Sequence, residues 1–539
     1  MKFLKSQPVL LSAFWLVLVL VSLFTRSYIP IDETRYVTVA WNMWLRGDYL
    51  VPWLNGVAYS HKPPLLFWMM DAGWAIFGIN NWWPRLVPSL FALGSVFLTV
   101  RLARLLWPHD EQAPVYAPVI LLGSALWIVF TTATMFDMLI AFFALLGLVG
   151  IMTAWHGKTL QGWLLLGLAI GGGLLAKGPA VLLQLLPAAL LAPWWGKGAQ
   201  RNWRQWYLGV LGAFVLGVLI ALAWAIPAAI RGGETYSHAI FWGQTADRMV
   251  NSFAHRRPLW WYLPLLPILL FPWLLWLPAW RGLARIAKGM MNPGVKFCLA
   301  WLVPAFIAFS LISGKQVHYL LPILPAFALL LAHSLPQQRF TRSDQVLAAL
   351  AAVIVGAVLI FMPHYAQAHH VAPWISQISP ILGVLMIAAA GLLLLADCRN
   401  GNFEIWKMTA FGAVVVVLTV YLAVIHTAGL AYDIRPVGAR LKVLEDQGIP
   451  IAHAARYPGQ YQFIGRLTKD LDVLHSSQLA AWFAQHPNGK AVVYFSTKQS
   501  LTGLRAEYQQ PYLGEVVAII GKDAWPPKFD AQDSGQDEE

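Results

Sequence analysis

The sequence predicts a polytopic α-helical membrane protein with a small α/β domain near its C-terminal end. Of its 539 residues, 58% are hydrophobic and only 12% are charged, whereas soluble domains carry roughly a quarter charged residues. The mean hydropathy is +0.58, and the apolar residues come in runs of the length that a helix needs to cross a bilayer, about 20 residues. These observations exclude a water-soluble fold for most of the chain.

Apolar windows predict about thirteen membrane-spanning helices by the hydropathy criterion. We interpret the first as a retained helix, because no small-residue cleavage pattern follows it. Two shorter apolar segments, 36–46 and 64–78, are interpreted as helices that lie at the membrane surface. The predicted spans lie near 8–24, 86–106, 115–133, 138–155, 161–176, 179–194, 207–229, 260–279, 297–313, 318–334, 345–362, 378–396 and 407–428.

Basic residues recur in alternate loops and set the predicted topology. Lys2 and Lys5 place the N-terminus in the cytoplasm, as the positive-inside rule requires. The net charge of +13 is therefore mostly a topology signal, and we expect no nucleic-acid partner. The basic loops on this side hold Arg101 and Arg104, Lys158, Lys197, Arg201 and Arg204, Arg281, Arg285 and Lys288, Arg339 and Arg342, and Arg399 and Lys407.

An odd number of spans leaves the end of the chain outside the cytoplasm. We therefore predict a transmembrane domain over residues 1–430, with a first external loop at 26–85, and an external domain over residues 431–539. In the latter, IPIAHAA, LDVLH, KAVVYF and EVVAII read as strands, and SSQLAAWFAQH reads as a helix. The acidic end, DAQDSGQDEE, is expected to be disordered. The two cysteines, Cys298 and Cys398, supply no disulfide framework.

Ionisable residues gather on the external side of the predicted membrane domain. Such residues are costly at the bilayer edge, so they are candidates for function. Two carboxylates ringed by cations could bind a phosphorylated substrate and activate or orient an acceptor hydroxyl. The first loop contributes Asp32, Glu33, Arg35, Tyr59, His61 and Lys62, and later segments contribute Asp137, Lys177, Arg248, His255, Lys315, His318 and Tyr319.

Each of these residues also has a structural interpretation. Asp32 could cap the surface helix that follows it, and Arg35 and Lys62 could be headgroup anchors. Asp137 could belong to a structural ion pair. The histidines of the cluster are too far apart in sequence to favour a metal site over polar packing.

The first loop resembles that of the GT-C lipid-carrier-dependent glycosyltransferases. This family includes the protein O-mannosyltransferases and, more similar to this chain, the aminoarabinose–lipid A transferases (ArnT-like). Asp137 and the segments at 177–179 and 315–322 are also similar to that family, so the resemblance covers essentially the whole chain. The motifs of the loop are Asp32-Glu33-Thr34-Arg35-Tyr36, Gly47-Asp48, Tyr59-Ser60-His61-Lys62-Pro63-Pro64, Phe77-Gly78 and Arg85.

The resemblance implies a GT-C fold in the bacterial inner membrane, with the active site facing the periplasm. It implies transfer with inversion of a sugar carried on undecaprenyl phosphate, without a required cofactor. The acceptor would be a lipid A-like lipid or another periplasmic acceptor: a glycolipid, a glycan polymer or a protein hydroxyl. The matching positions make Asp32 and Asp137 catalytic. The donor phosphate would be bound by Arg35, Tyr59, Lys62, Lys177 and Tyr319; Glu33, Arg248, Lys315 and His318 are candidate substrate contacts; His61 and His255 are candidate ligands of a divalent metal.

Two departures from the family pattern leave the sugar and the acceptor open. His61 stands where the aminoarabinose transferases usually have glutamate, and residues 241–249 read FWGQTADRM in place of their Glu-x-Asn-x-x-Arg-Phe pattern. A transporter or flippase of a lipid-linked sugar is the alternative function. The sequence lacks the paired halves with broken helices that such transporters usually show.

Overall fold

The structure is a computed structural model that describes residues 2–197, 201–242, 257–289, 291–336, 338–369, 374–398, 400–496 and 504–525. Its first part is almost entirely helical. The helices before residue 240 are α1 (Lys2–Thr25), α2 (Asp32–Arg46), α3 (Leu65–Phe77), α4 (Trp83–Leu106), α5 (Ala113–Leu122), α6 (Ala125–Thr131), α7 (Asp137–Trp155), α8 (Thr159–Lys177), α9 (Ala180–Leu190) and α10 (Trp203–His238).

The remaining helices continue the membrane part and then enter the C-terminal domain. They are α11 (Leu277–Ala287), α12 (Pro293–Leu311), α13 (Leu324–Ser334, preceded by a 3₁₀ segment at Val317–Ile323), α14 (Val346–Ala368), α15 (Pro380–Leu395), α16 (Gly401–Val416, continued by a π-helical segment at Val417–His426), α17 (Arg435–Asp446) and α18 (Leu479–Gln485). Four-residue helices lie at Ala192–Trp195, Leu266–Leu269 and Gln462–Gly465.

The predicted class, a polytopic helical membrane protein, is confirmed, but the count of thirteen spans is not. Within the described residues, nine helices are long and apolar enough to cross a membrane, or ten if α5 and α6, bent by 66°, form one span. Two further predicted spans are shorter helices, α9 and α15.

The predicted span at 260–279 is not a continuous helix. It consists of short pieces, at Leu263–Leu265, Leu266–Leu269 and Trp273–Leu275, followed by α11. Prolines recur at 264, 267, 272 and 278. Each removes a backbone N–H and disfavours helical geometry in the residue before it, so hydropathy alone overestimates the helix here.

The first loop contains the two helices that the sequence predicts, α2 and α3, joined through a two-stranded hairpin. The hairpin pairs β1 (Trp53–Leu54) with β2 (Val57–Ala58). Helix α2 ends at Gly47, whose φ of 63° gives the left-handed C-cap that glycine adopts without strain. Both helices bury apolar side chains in one cluster with the start of α7.

The C-terminal domain is a five-stranded mixed sheet in the order β4-β3-β5-β7-β6. Strand β3 is parallel to β4 and β5, whereas β7 is antiparallel to β5 and β6. The four predicted strands are present, but the sequence analysis missed β6, whose AEYQQPY segment has no apolar run. The strands are β3 (Ile451–Ala454), β4 (Asp472–Leu474), β5 (Lys490–Ser496), β6 (Ala506–Tyr512) and β7 (Glu515–Gly521).

The C-terminal domain packs directly on helix α2. Thr38 Oγ1 donates to the Gly459 carbonyl at 2.7 Å, and Trp41 Nε1 donates to the Leu467 carbonyl at 2.8 Å. The Phe463 ring stacks on Trp74 of α3, with 5.1 Å between ring centroids. Helix α2, which begins at Asp32, is therefore held between the membrane helices and the C-terminal domain.

Candidate active site

Asp32 is the first residue of α2, and side chains hold its carboxylate. Its Oδ1 accepts from Arg35 Nη2 at 2.9 Å and from the Tyr36 hydroxyl at 3.4 Å. These partners follow at the three- and four-residue spacing that brings side chains together on a helix. The N-cap of α2 is Ile31, one residue before Asp32, and the Asp32 carboxylate bonds side chains, so the capping interpretation of Asp32 is not supported. About half of the side chain (49%) is exposed, which leaves the carboxylate accessible.

Asp137 is the first residue of α7, and its carboxylate is buried. Its Oδ1 lies 2.5 Å from Nζ of Lys177, and only 3% of the Asp137 side chain is exposed. Lys177 is the last residue of α8, where a cation also interacts favourably with the helix dipole. The same ammonium lies 4.9 Å from the centroid of the Tyr319 ring, within cation–π distance. Asp137 thus fixes the position of Lys177.

The ring of His318 lies where the charges of the two parts of the site converge. The carboxylates of Asp32 and Asp137 and the ammonium groups of Lys62 and Lys177 all act on it electrostatically. The first loop and the membrane helices therefore contribute to one cluster, although their residues are widely separated in sequence. The sequence analysis predicted all five of these residues as parts of one site.

Glu33, next to Asp32, belongs to the interior of the protein. Its carboxylate accepts from two nitrogens of Arg26 at 2.5 and 3.0 Å, from the Ile29 amide at 2.8 Å and from the Thr134 amide at 2.6 Å. Burial would raise the pKa of Glu33, but the Arg26 guanidinium holds it below its ordinary value. The predicted substrate contact is therefore a buried residue that ties α2 to the segment before Asp137.

Lys315 also differs from its predicted role. Its ammonium donates to the carbonyls of Arg257 at 2.9 Å and Ile312 at 2.6 Å, and the residue is 2% exposed. Ile312 directly follows α12, so the lysine satisfies one carbonyl group at the end of that helix and joins it to the segment at Arg257. These bonds to backbone carbonyls explain why Lys315 is buried, and they require no substrate.

The remaining predicted residues of the first loop lie beside the cluster. Tyr59 is buried, and its ring stacks on His61 with 5.1 Å between centroids. The charge of Lys62 reaches the Asp137 carboxylate. Arg248 and His255 lie outside the described residues. Within the part of the chain that the structure describes, no group of three or more side chains could hold a metal ion.

Two residues of this region were missed by the sequence analysis. Tyr36 contacts Asp32 and packs edge-on against Phe136 at 4.9 Å between ring centroids. Burial raises the pKa of Tyr36, so its hydroxyl stays protonated and can donate. Its four-residue spacing from Asp32 was the available signal. Arg26, the partner of Glu33, follows the first span and was indistinguishable from a headgroup anchor.

The arrangement supports anion binding beside an accessible carboxylate. Lys177 is held in place by Asp137, and Arg35 is held by Asp32. Such fixed cations stabilise phosphate oxygens without reorganisation. The half-exposed Asp32 carboxylate can accept a proton or a hydrogen bond from a second substrate. The cluster therefore has the parts that transfer of a group from a phosphate ester requires.

Comparison with known proteins identifies similar chains. Residues 61–229 match the family described as dolichyl-phosphate-mannose-protein mannosyltransferase. An undecaprenyl phosphate-alpha-4-amino-4-deoxy-L-arabinose arabinosyl transferase 2 of Pseudomonas fluorescens is 33% identical over 343 residues, which are 61% of this chain and 59% of that relative. The corresponding transferase of Erwinia tasmaniensis is 31% identical over 74% of this chain and 73% of the relative.

Solved structures show the same fold. The crystal structure of ArnT from Cupriavidus metallidurans bound to undecaprenyl phosphate superimposes with a TM-score of 0.72, over 95% of this chain and 97% of that one, at 20% identity. Its apo form gives a TM-score of 0.73 over the same shares. The likeness extends through the membrane helices and the C-terminal sheet, so the predicted fold is confirmed over nearly the whole length.

Proposed function

We propose a function from the premise that this chain belongs to the family of the undecaprenyl phosphate-alpha-4-amino-4-deoxy-L-arabinose arabinosyl transferases. The protein is a multi-pass membrane glycosyltransferase that moves a sugar from a polyprenyl phosphate to a lipid A-like or other periplasmic acceptor. Undecaprenyl phosphate is the proposed carrier. The observation that carries this proposal is that two carboxylate–cation pairs lie in one cluster: Asp32 with Arg35 at 2.9 Å and Asp137 with Lys177 at 2.5 Å. The ring of Tyr36, whose hydroxyl bonds Asp32, packs against Phe136, the residue before Asp137, at 4.9 Å between centroids.

The cations of the site bind the phosphate of the donor. Lys177, fixed by Asp137, and Lys62, which acts on the same carboxylate, supply two ammonium groups. Arg35, next to Asp32, supplies a guanidinium suited to two-point contact with phosphate oxygens. During transfer the bond from the anomeric carbon to the phosphate oxygen breaks, and the cations stabilise the charge of the departing polyprenyl phosphate.

Asp32 acts on the acceptor. A new bond forms between the acceptor oxygen and the anomeric carbon as the old bond breaks on the opposite face, with inversion. If the acceptor is a hydroxyl, its proton passes to the Asp32 carboxylate, which acts as general base. If the acceptor is an ionised phosphate, no proton moves and Asp32 orients it through the Arg35 and Tyr36 side chains that flank it.

Asp137 is a positioning residue in this proposal. Its carboxylate is almost fully buried against Lys177, so a substrate contacts the lysine and not the acid. The two carboxylates therefore have different roles: Asp32 contacts the acceptor, and Asp137 positions Lys177. This difference also explains why only one of the two carboxylates is accessible.

The site faces the periplasm in this proposal. The C-terminal domain packs on α2, whose first residue is Asp32, so that domain and the site lie on one side of the membrane. The basic loops predicted to be cytoplasmic, for example at Arg101 and Arg104, support the opposite side as the cytoplasm. We place the protein in the bacterial inner membrane and propose that it needs no cofactor.

The test is mass spectrometry of lipids and surface glycans from cells with and without the gene. Complementation uses the wild type and the Asp32→Asn variant. The proposal predicts that one glycolipid or glycan loses a single sugar mass without the gene, and that only the wild type restores it. A flippase would give a different result in cells without the gene: the lipid-linked sugar would accumulate on the cytoplasmic side, and no acceptor would lose its sugar.

A further inference from the structure

A second cluster of cations lies far from the candidate active site. Arg281, Arg285, Lys288 and Arg339 line a cavity of about 340 Å³, together with Ala284 and Gln338. The positive-inside rule explains basic residues in such a loop. It does not explain why cations from two separate segments line one cavity.

Helix α11 carries Arg281 and Arg285 and ends directly before Lys288, and it has the character of an interfacial helix. Its buried face includes Pro278, Gly282 and Ile286. Beside the basic face, Trp280 is 53% exposed and Leu277 is 38% exposed. A helix with adjacent basic and exposed apolar faces lies in the headgroup region of a bilayer, where tryptophan is also favoured.

Two of the four cations are already used within the protein, and two are available. Arg281 Nη2 donates to Asp344 at 2.7 Å, and Arg285 Nη1 donates to the Pro336 carbonyl at 3.0 Å. The side chains of Lys288 and Arg339 have no ion pair or hydrogen bond with any residue that the structure describes. The cavity therefore keeps an excess of positive charge that an anion can neutralise.

The cavity lies at the other membrane face from the active site. The segment Val317–Ser334 contains 18 residues, 7 in the 3₁₀ segment and 11 in α13, which together span about 30 Å at roughly 2.0 and 1.5 Å per residue. It begins beside His318 and Tyr319 of the site and ends at Ser334, whose carbonyl accepts from Arg285. This length is close to the roughly 30 Å of a bilayer core, so the cavity faces the cytoplasmic leaflet.

We propose that this cavity binds the phosphate headgroup of an anionic phospholipid of the cytoplasmic leaflet. Lys288 and Arg339 contact the phosphate, Arg281 and Arg285 contribute the positive field, and Trp280 contacts the acyl chains next to the headgroup. Basic pockets between helices on the cytoplasmic side recognise such headgroups. The proposal concerns the opposite leaflet and does not depend on the glycosyltransferase reaction.

The experiment is native mass spectrometry of the purified full-length protein with added phosphatidylglycerol or phosphatidylcholine. The test variant is Lys288→Gln with Arg339→Gln, and the matched control is Arg101→Gln with Arg104→Gln, which removes the same charge from exposed positions in the last turns of α4. We expect phosphatidylglycerol to bind in preference to phosphatidylcholine. The test variant should bind it about 25-fold more weakly, since each of the two cations near an anionic lipid contributes about fivefold.

Three results would overturn the proposal. Equal weakening by the test and control variants would mean that only the overall charge matters. Binding of phosphatidylcholine as tight as that of phosphatidylglycerol would mean that the site does not recognise the headgroup charge. Displacement of phosphatidylglycerol by an equal concentration of inorganic phosphate would indicate a site for the free anion. The midpoint of thermal unfolding, measured in parallel, shows whether the test variant is folded.

Discussion

The amide nitrogen of Thr134 donates to Oε1 of Glu33 at 2.6 Å. Glu33 follows Asp32 in α2, and Thr134 lies three residues before Asp137, so this bond joins the two segments that carry the carboxylates of the site. Arg26 completes the connection, because one of its nitrogens bonds Glu33 and also donates to the Thr132 carbonyl at 2.5 Å. The relative position of the first loop and α7 therefore depends on one buried ion pair.

Glu33→Gln should destabilise the protein by about 3–5 kcal/mol, because it leaves the Arg26 guanidinium buried without its countercharge. Thermal unfolding in detergent, followed by tryptophan fluorescence, measures this change. Glu111→Gln, at an exposed position, is the control and should leave the unfolding midpoint within the range of surface substitutions. Equal midpoints for the two variants would show that the buried pair does not hold the segments.

Single and double substitutions of Lys177 and Asp137 separate the contribution of this ion pair to stability from the role of Lys177 in binding the donor phosphate. Lys177→Met leaves the buried Asp137 carboxylate unpaired and should lower stability by about 3–5 kcal/mol. Adding Asp137→Asn removes that charge and should recover much of the loss, as a double-mutant cycle detects. Transfer activity should stay lost in both variants, because the ammonium for the donor phosphate is missing. Recovery of activity in the double variant would remove Lys177 from phosphate binding.

Phe463→Ala tests the attachment of the C-terminal domain. Its ring is fully buried and packs against Trp74, and against Trp41 of α2 at 6.1 Å between centroids. Its loss should cost about 3–5 kcal/mol and should make the chain more sensitive to limited proteolysis between the membrane part and the sheet. Phe77→Ala, at a position 52% exposed, is the matched aromatic control. Equal proteolysis rates would contradict the packing described here.

Asp71 predicts a pH dependence of stability. Burial raises its pKa to about 8, and its carboxyl oxygens have no hydrogen-bond partner among the described residues. An unfolded aspartate has a pKa of about 3.9, so the folded state retains a proton that the unfolded state loses. The contribution of Asp71 to stability is therefore present below about pH 4 and is lost progressively as pH rises towards about pH 8.

The matching substitution is Asp71→Asn, which keeps a neutral side chain at every pH. The unfolding midpoints of wild type and variant should be similar at or below about pH 4 and should separate as pH rises from there to about 8, with the variant more stable. Circular dichroism melts at a series of pH values provide the measurement. A constant difference across this range would show that Asp71 ionises normally.

Much of this architecture was predictable from sequence, because burial in lipid requires continuous apolar segments. The gathering of ionisable residues on the external side, together with the family resemblance, also brought Asp32, Lys62, Asp137, Lys177 and His318 into one predicted site. Proline-rich 260–279 was predicted as a span because a hydropathy window counts side chains and not the backbone hydrogen bonds that proline removes.

The bonding partners of individual charged side chains could not be predicted from the sequence. Glu33 and Lys315 looked like substrate contacts because both are ionisable and near the membrane edge. Their actual partners, Arg26 and the carbonyls of Arg257 and Ile312, are identified only by distances. For the same reason the sequence treated Asp32 and Asp137 alike, although one is half exposed and the other is buried.

Purified wild type and Asp32→Asn, compared side by side, test the role of Asp32 in transfer. The assay measures sugar transfer to the acceptor that loses its sugar in cells lacking the gene, and undecaprenyl phosphate binding in the same preparations. We expect Asp32→Asn to lower the rate at least about 100-fold, within the range for removal of a general acid or base, while carrier binding and the unfolding midpoint stay near those of the wild type. Transfer by Asp32→Asn at the wild-type rate would show that Asp32 takes no part in the reaction.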